Sequence, residues 1–201
     1  MAARLLLDYG HGCDTAGKCS PDKRLLEYKY VREIGSALVD HFSRILDVDV
    51  IVPEEKDISL PDRVQRVNAI VDAHPDQPCY LVSLHVNAAP GEGWSNARGW
   101  SVYVSKKASY NSQILANNVF DAAVELGAKT RQPEPSKKYW EENFYITTRT
   151  KCPAILTENF FQNNKEDVEL LLSPEGRLLV ENIHIVGISK YLGLPYSLIK
   201  A

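Results

Sequence analysis

The chain has 201 residues, with 23 lysines and arginines set against 26 aspartates and glutamates and a net charge of -3. That length buries a substantial core without staples, and so even a charge balance leaves no footprint for nucleic acid or an anionic membrane. The opening apolar run, in MAARLLLDYGHG, is too short for a membrane span or a signal-peptide core, so neither membrane insertion nor an export signal is expected.

Taken in order, apolar runs alternate with amphipathic stretches. Arg4 to Asp8 reads as a strand, Lys23 to Arg44 as a helix, Val48 to Val52 as a strand and Pro61 to Ala73 as a helix. Cys79 to His85 and Gly99 to Val104 follow as strands, and Asn111 to Leu126 as a helix. Asn143 to Thr147 and Pro153 to Glu158 read as strands, Lys165 to Leu171 as a short helical turn, and Pro174 to Tyr191 as the last helix. The alternation predicts an α/β fold, one domain over residues 1–201. Its mostly parallel twisted sheet should have about six strands, with helices on both faces. Lys129 to Glu142 (KTRQPEPSKKYWEE), with two prolines and dense charge, reads as an exposed loop, and the glycine-rich Ala88 to Arg98 as another. Such loops at the carboxyl end of a parallel sheet commonly wall a ligand crevice.

The cysteines Cys13, Cys19, Cys79 and Cys152 lack paired CxxC spacing, which argues against a structural zinc knuckle. Cys79 and Cys152 open apolar runs and read as buried thiols. Cys13 and Cys19 share a short loop and could pair in an oxidising compartment, free thiols being the simpler reading.

Ligands of an open α/β sheet bind beyond the carboxyl ends of its strands. His11 follows the first strand through Tyr9-Gly10, His85 closes CYLVSLH and Glu158 closes PAILTE, so three strands deliver polar residues to one rim. Glu27 reaches it on the helical stripe Glu27, Val31, Ile34, Leu38, Phe42, Ile45, the face that packs on the sheet. A carboxylate buried there needs a cation, which an arginine or a metal could supply. Two histidines and a carboxylate suit a zinc ion with one position open for water, and a second carboxylate, Glu158, suits a general base. The open alternatives are hydrogen-bonding histidines at strand ends, a Glu27–arginine pair, and Glu158 as a fourth ligand closing the site. His41, His74 and His184 read as structural, and Arg63 and Arg66 as solvated or salt-bridged. Asn87 and Asn159 either touch substrate amides or orient the loops.

These segments resemble the zinc-dependent N-acetylmuramoyl-L-alanine amidases of the type-3 class, which are cell-wall hydrolases. The likeness runs from Leu5 to about Tyr191 and rests on LLLDYGHGCDTAG, LLEYKYVREI, SLPDRVQRVNAI, SLHVNA and PAILTENFFQNN in that order. It implies one Zn2+ held by His11, Glu27 and His85, with Glu158 as the catalytic carboxylate. It also implies a substrate, the amide between N-acetylmuramic acid and the L-alanine of the stem peptide in peptidoglycan or muropeptides. Action on the bacterial cell wall follows, by export or by phage-type release of a protein made in the cytosol. A peptidoglycan-binding module without catalysis and a zinc peptidase cutting within the stem peptide are the rival readings. Two departures stand out: Cys13 occupies the position of the family's second loop glycine, and the inserted helix that blocks zinc in regulated members is not visible. An unobstructed cleft is therefore expected.

Overall fold

The structure, a computed structural model, describes residues 3–200. Six strands and six helices follow one another among them. In chain order they are β1 (Arg4–Tyr9), α1 (Glu27–Phe42), β2 (Asp47–Val50), α2 (Leu60–Ala73), β3 (Cys79–Asn87) and β4 (Ser101–Val104). Then come α3 (Tyr110–Glu125), β5 (Trp140–Glu141), α4 (Tyr145–Arg149), β6 (Ala154–Phe161), α5 (Lys165–Leu172) and α6 (Pro174–Leu192).

The sheet runs β2-β1-β3-β6-β4-β5. Its first four strands are parallel, β4 runs antiparallel to β6, and β5 is parallel to β4. Strands buried on both faces must be apolar at successive positions, as RLLLDY of β1 is. Leu5, Leu7, Val82, Leu84, Val102, Val104 and Ile155 join the core beneath α1, α3, α5 and α6. Leu6, Leu81 and Leu156 join a smaller one with Val64 and Val67 of α2 and Ile146 of α4.

The helix starts follow local chemistry. The hydroxyls of Ser59, Ser109 and Ser173 and the amide oxygen of Asn164 accept N–H bonds at the starts of α2, α3, α6 and α5, and Pro61 and Pro174 sit just inside α2 and α6. Helix α1 starts at Glu27 rather than at Lys23. Lys23 has φ 61°, a left-handed conformation that no helix includes, and Cys19 bridges Leu26 across the preceding turn. The helix ends at Phe42, so Ile45, which the stripe would bury, is exposed.

Two further expectations are corrected. Asn143 to Thr147, aromatic and β-branched, is not a strand: Tyr145–Arg149 forms α4. The hydroxyls of Thr147 and Thr150 donate to the carbonyls of Phe144 and Ile146, and Ile146 is buried in the core that α2 covers, so packing overrides propensity. Within the stretch read as a loop, Trp140–Glu141 pairs with Tyr103 and Val104 as the edge strand β5.

Candidate active site

His11 stands in the turn that leaves β1, with φ 57°, uncommon for a residue bearing a Cβ. Its neighbours must be glycines. A Cβ on Gly10 would lie 2.6 Å from the His85 ring, and one on Gly12 would lie 1.9 Å from the Asp57 nitrogen. Two arginines hold the turn. Arg32 of α1 donates to the His11 carbonyl at 3.1 Å, and Arg63 of α2 donates to the Tyr9 carbonyl at 2.6 Å and to Asp8 Oδ1 at 2.7 Å.

Glu27 is fully buried at the start of α1. The Glu27 N–H donates to the Lys18 carbonyl at 3.0 Å, and Oε1 accepts the Val86 N–H at 2.9 Å. The same oxygen lies 3.2 Å from His85 Nδ1 and 3.6 Å from His11 Nε2. Among the described residues no arginine or lysine pairs with Glu27, and its Oε2 is buried without a partner. A buried carboxylate oxygen without a donor is costly unless a cation meets it. His11, Glu27 and His85 each offer a ligand atom within 4.8 Å of the others, and the imidazoles cross nearly perpendicular at 5.0 Å. Two nitrogens and a carboxylate oxygen at that spacing fit a zinc ion with an open position.

The electrostatics separate these groups. Burial pushes His11 down to about 4, with Glu27 opposing and His85 adding to the fall. Burial pulls His85 the same way, but the hydrogen bond and charge of Glu27 carry it above the ordinary histidine value. Glu27 is held low, because the His85 bond and both imidazoles outweigh its burial.

Glu158 stands opposite His85 in the β3/β6 register and is not in that ligand cluster. Its Oε2 is buried and unpartnered, and burial, reinforced by Glu27, raises it to about 8. Immediately after it β6 carries an extra residue against β3, where Phe160 takes φ 66°. Asn159 is buried at this bulge. Its side chain accepts the Trp100 indole N–H at 2.8 Å and donates to the His85 carbonyl at 2.9 Å. Asn87, partly exposed at the end of β3, accepts the Ala88 N–H at 2.8 Å.

With Glu27 buried behind the two imidazoles, His11, His85 and Glu158 line a cleft of about 500 Å³. Its polar floor is Asp8, Asp57, Arg63, His85 and Glu158, and its apolar wall includes Leu60, Phe144 and Tyr145. Lys18, which lines it too, carries no signal in the sequence, being one lysine in a polar loop. Arg63 is salt-bridged as expected, to Asp8 and Asp57 at 2.7 Å each, but it is buried beneath the cleft rather than solvated. Cys13 is exposed, and both it and Cys19 are free thiols.

A family model described as Amidase_3, N-acetylmuramoyl-L-alanine amidase, matches residues 5–190. The chain belongs to this amidase family. The amidase is 27% identical over 199 residues to the endolysin of Bacillus phage SPP1, covering 96% of this chain and 68% of that one. It is 26% identical to the uncharacterized protein YqiI of Bacillus subtilis, covering 92% and 82% of the two chains. Among solved structures, an N-acetylmuramoyl-L-alanine amidase of Clostridium difficile 630 superposes with a TM-score of 0.80 at 25% identity, covering 96% of this chain and 97% of that one. The catalytic domain of CwlV from Bacillus (Paenibacillus) polymyxa var. colistinus, at 19% identity, shares the fold with a TM-score of 0.79 and coverages of 96% and 99%.

Proposed function

We propose that this amidase is a mononuclear zinc hydrolase of the bacterial cell wall. It cleaves the amide between the lactyl group of N-acetylmuramic acid and the L-alanine of the stem peptide. His11, Glu27 and His85 would hold the ion, which when bound polarises the carbonyl and lowers the pKa of water. The observation that carries this reading is the unpartnered, buried Oε2 of Glu27 beside two imidazoles, with no basic side chain paired to it among the described residues.

Glu158 supplies the acid–base chemistry. Burial strengthens its hold on a proton, and the positive charge of a bound ion would offset this, so that it can both take a proton and return it. It accepts the proton of the attacking water as the new C–O bond forms. It then delivers that proton to the alanine nitrogen as the C–N bond breaks. Arg32 and Arg63 keep the His11 turn in its left-handed shape, and Asn159 fixes the His85 backbone. Asn87 is the remaining side chain of the rim offered to a substrate amide. The endolysin relative supports action on peptidoglycan, reached by export or by release at lysis.

Metal analysis of the purified protein together with mass analysis of digested muropeptides tests the reading. The expected result is about one zinc per chain, chelator-sensitive and zinc-restored activity, and free stem peptide with a new L-alanine amino terminus. A different new amino terminus would make the protein a peptidase. Zinc-loaded protein that cuts nothing would overturn the proposal.

A further inference from the structure

A second hollow, of about 540 Å³, adjoins the catalytic cleft, and Phe144 lines both. Its other walls are Tyr103 of β4, Trp140 of β5, Arg131, Glu142 and Asn143. The register places it on the catalytic side of the sheet. Ser101 of β4 pairs with Glu158 and Tyr103 pairs with Leu156, so the Tyr103 side chain shares a face with Leu156 and Glu158, and Trp140 lies opposite Tyr103 on the next strand.

Arg131 is the cation of this hollow, and beside it the Trp140 indole N–H is buried without a partner among the described residues. The guanidinium sits over the Phe161 ring at 4.8 Å and over the Trp140 ring at 5.9 Å. Its backbone is fixed to the start of β4, the Arg131 N–H donating to the Trp100 carbonyl at 2.8 Å. No carboxylate lies within ion-pairing distance of it among the described residues. The nearby acids are engaged elsewhere, Glu142 with Lys106 at 3.7 Å and Glu141 with Lys137 at 2.9 Å. An arginine held against two aromatic rings can offer its planar fork of donors to a carboxylate.

Strand spacing gives the distance. Strands lie about 4.8 Å apart, so β4 and β5 stand roughly 5 and 10 Å from the β6 line that carries Glu158. An extended peptide advances about 3.4 Å per residue, so a chain leaving the scissile amide reaches the hollow one to three residues later.

We propose that Arg131 binds a carboxylate on the peptide side of the substrate, the first candidate being the α-carboxylate of the D-isoglutamate that follows L-alanine. The assignment rests on the amidase reading above and adds a selectivity for charged over amidated stem peptides.

The test compares two muropeptide substrates of the zinc-loaded enzyme, alike except at the D-isoglutamate: its α-carboxylate is free in one and an amide in the other, and in both its γ-carboxyl is bonded to the next residue of the stem. Wild-type enzyme should favour the acid by about tenfold in kcat/KM, mainly through KM, the scale of one charge-assisted bidentate contact. Arg131→Gln should abolish the preference, and Arg131→Lys, which keeps the charge but not the fork, should retain part of it. Equal wild-type handling of the two compounds, or a preference that survives Arg131→Gln, overturns the assignment while leaving the amidase reading intact. Zinc-loaded wild-type enzyme that cleaves neither compound, nor any muropeptide, overturns both.

Discussion

The two faces of the sheet are closed to different degrees, and the candidate site lies on the less closed one. One face is sealed by α1, α3, α5 and α6 over a continuous apolar core that includes the fully buried Trp100 and Phe42. The other is covered by α2 and the five-residue α4 over a smaller core, which leaves the ends of β1, β3 and β6 open along the cleft. The larger core and the candidate site are thereby separated in space. A packed face tolerates no vacancy, whereas a hydrolytic site requires one. Glu27 joins the two regions, being carried by a helix of the sealed face and touching, from its buried position, the His11 and His85 rings that line the cleft.

The largest effect should come from the open face alone. Glu158→Gln is expected to lower turnover by about two to four powers of ten while leaving zinc content in place; steady-state kinetics and metal analysis check it. Glu27→Gln should instead weaken zinc binding, and zinc retained at wild-type affinity would remove Glu27 from the ligand set.

The separation is sharpest at Arg63, which lies beneath the cleft yet is buried against Asp8. Arg63→Met leaves that carboxylate without its cation and should cost about 3–5 kcal/mol in denaturant unfolding. A loss under about 1 kcal/mol would show that the polar floor contributes little to stability.

The sealed face has its own titrating group. His184 is buried, with Nδ1–H donating to the Val180 carbonyl at 2.8 Å and Nε2 accepting from the Thr157 hydroxyl at 2.9 Å. Burial lowers its folded pKa to about 4 from an ordinary 6.5. Between those values the unfolded chain binds the proton and the folded chain does not. Its contribution is therefore complete above about pH 6.5, declines as pH falls to about 4, and changes no further below that. The loss amounts to about 3 kcal/mol. Urea titrations of wild type and His184→Gln between pH 7 and 4 should differ in slope accordingly, and parallel profiles would refute the assignment.

The smallest stability effect belongs to the cleft wall. Leu60 is 49% exposed, so Leu60→Ala should shift stability by less than about 0.5 kcal/mol. It should nonetheless raise KM if the apolar wall holds substrate.

Local patterning made much of this molecule readable in the sequence. The buried stripe from Glu27 to Phe42 follows from helical spacing, and the convergence of His11, His85 and Glu158 follows from strand ends in a parallel sheet. What was illegible depended on partners distant in the chain. Asn143 to Thr147 has strand-like residues, yet α4 forms because Ile146 finds a pocket against α2. Arg63 resembles any surface arginine of an amphipathic helix until Asp8, 55 residues away, is seen facing it.

Spacing and residue type alone therefore determined the fold class and the residues able to meet at one rim, because both depend on periodicities of two and 3.6. Tertiary structure decided the rest. Among the described residues it set the left-handed turn at His11, the orphaned oxygen of Glu27, the bonds of Asn159 to Trp100 and His85, and a guanidinium at Arg131 without a carboxylate partner. Each of these is a statement about which groups lack or possess a neighbour, and neighbours distant in sequence exist only once the chain has closed on itself.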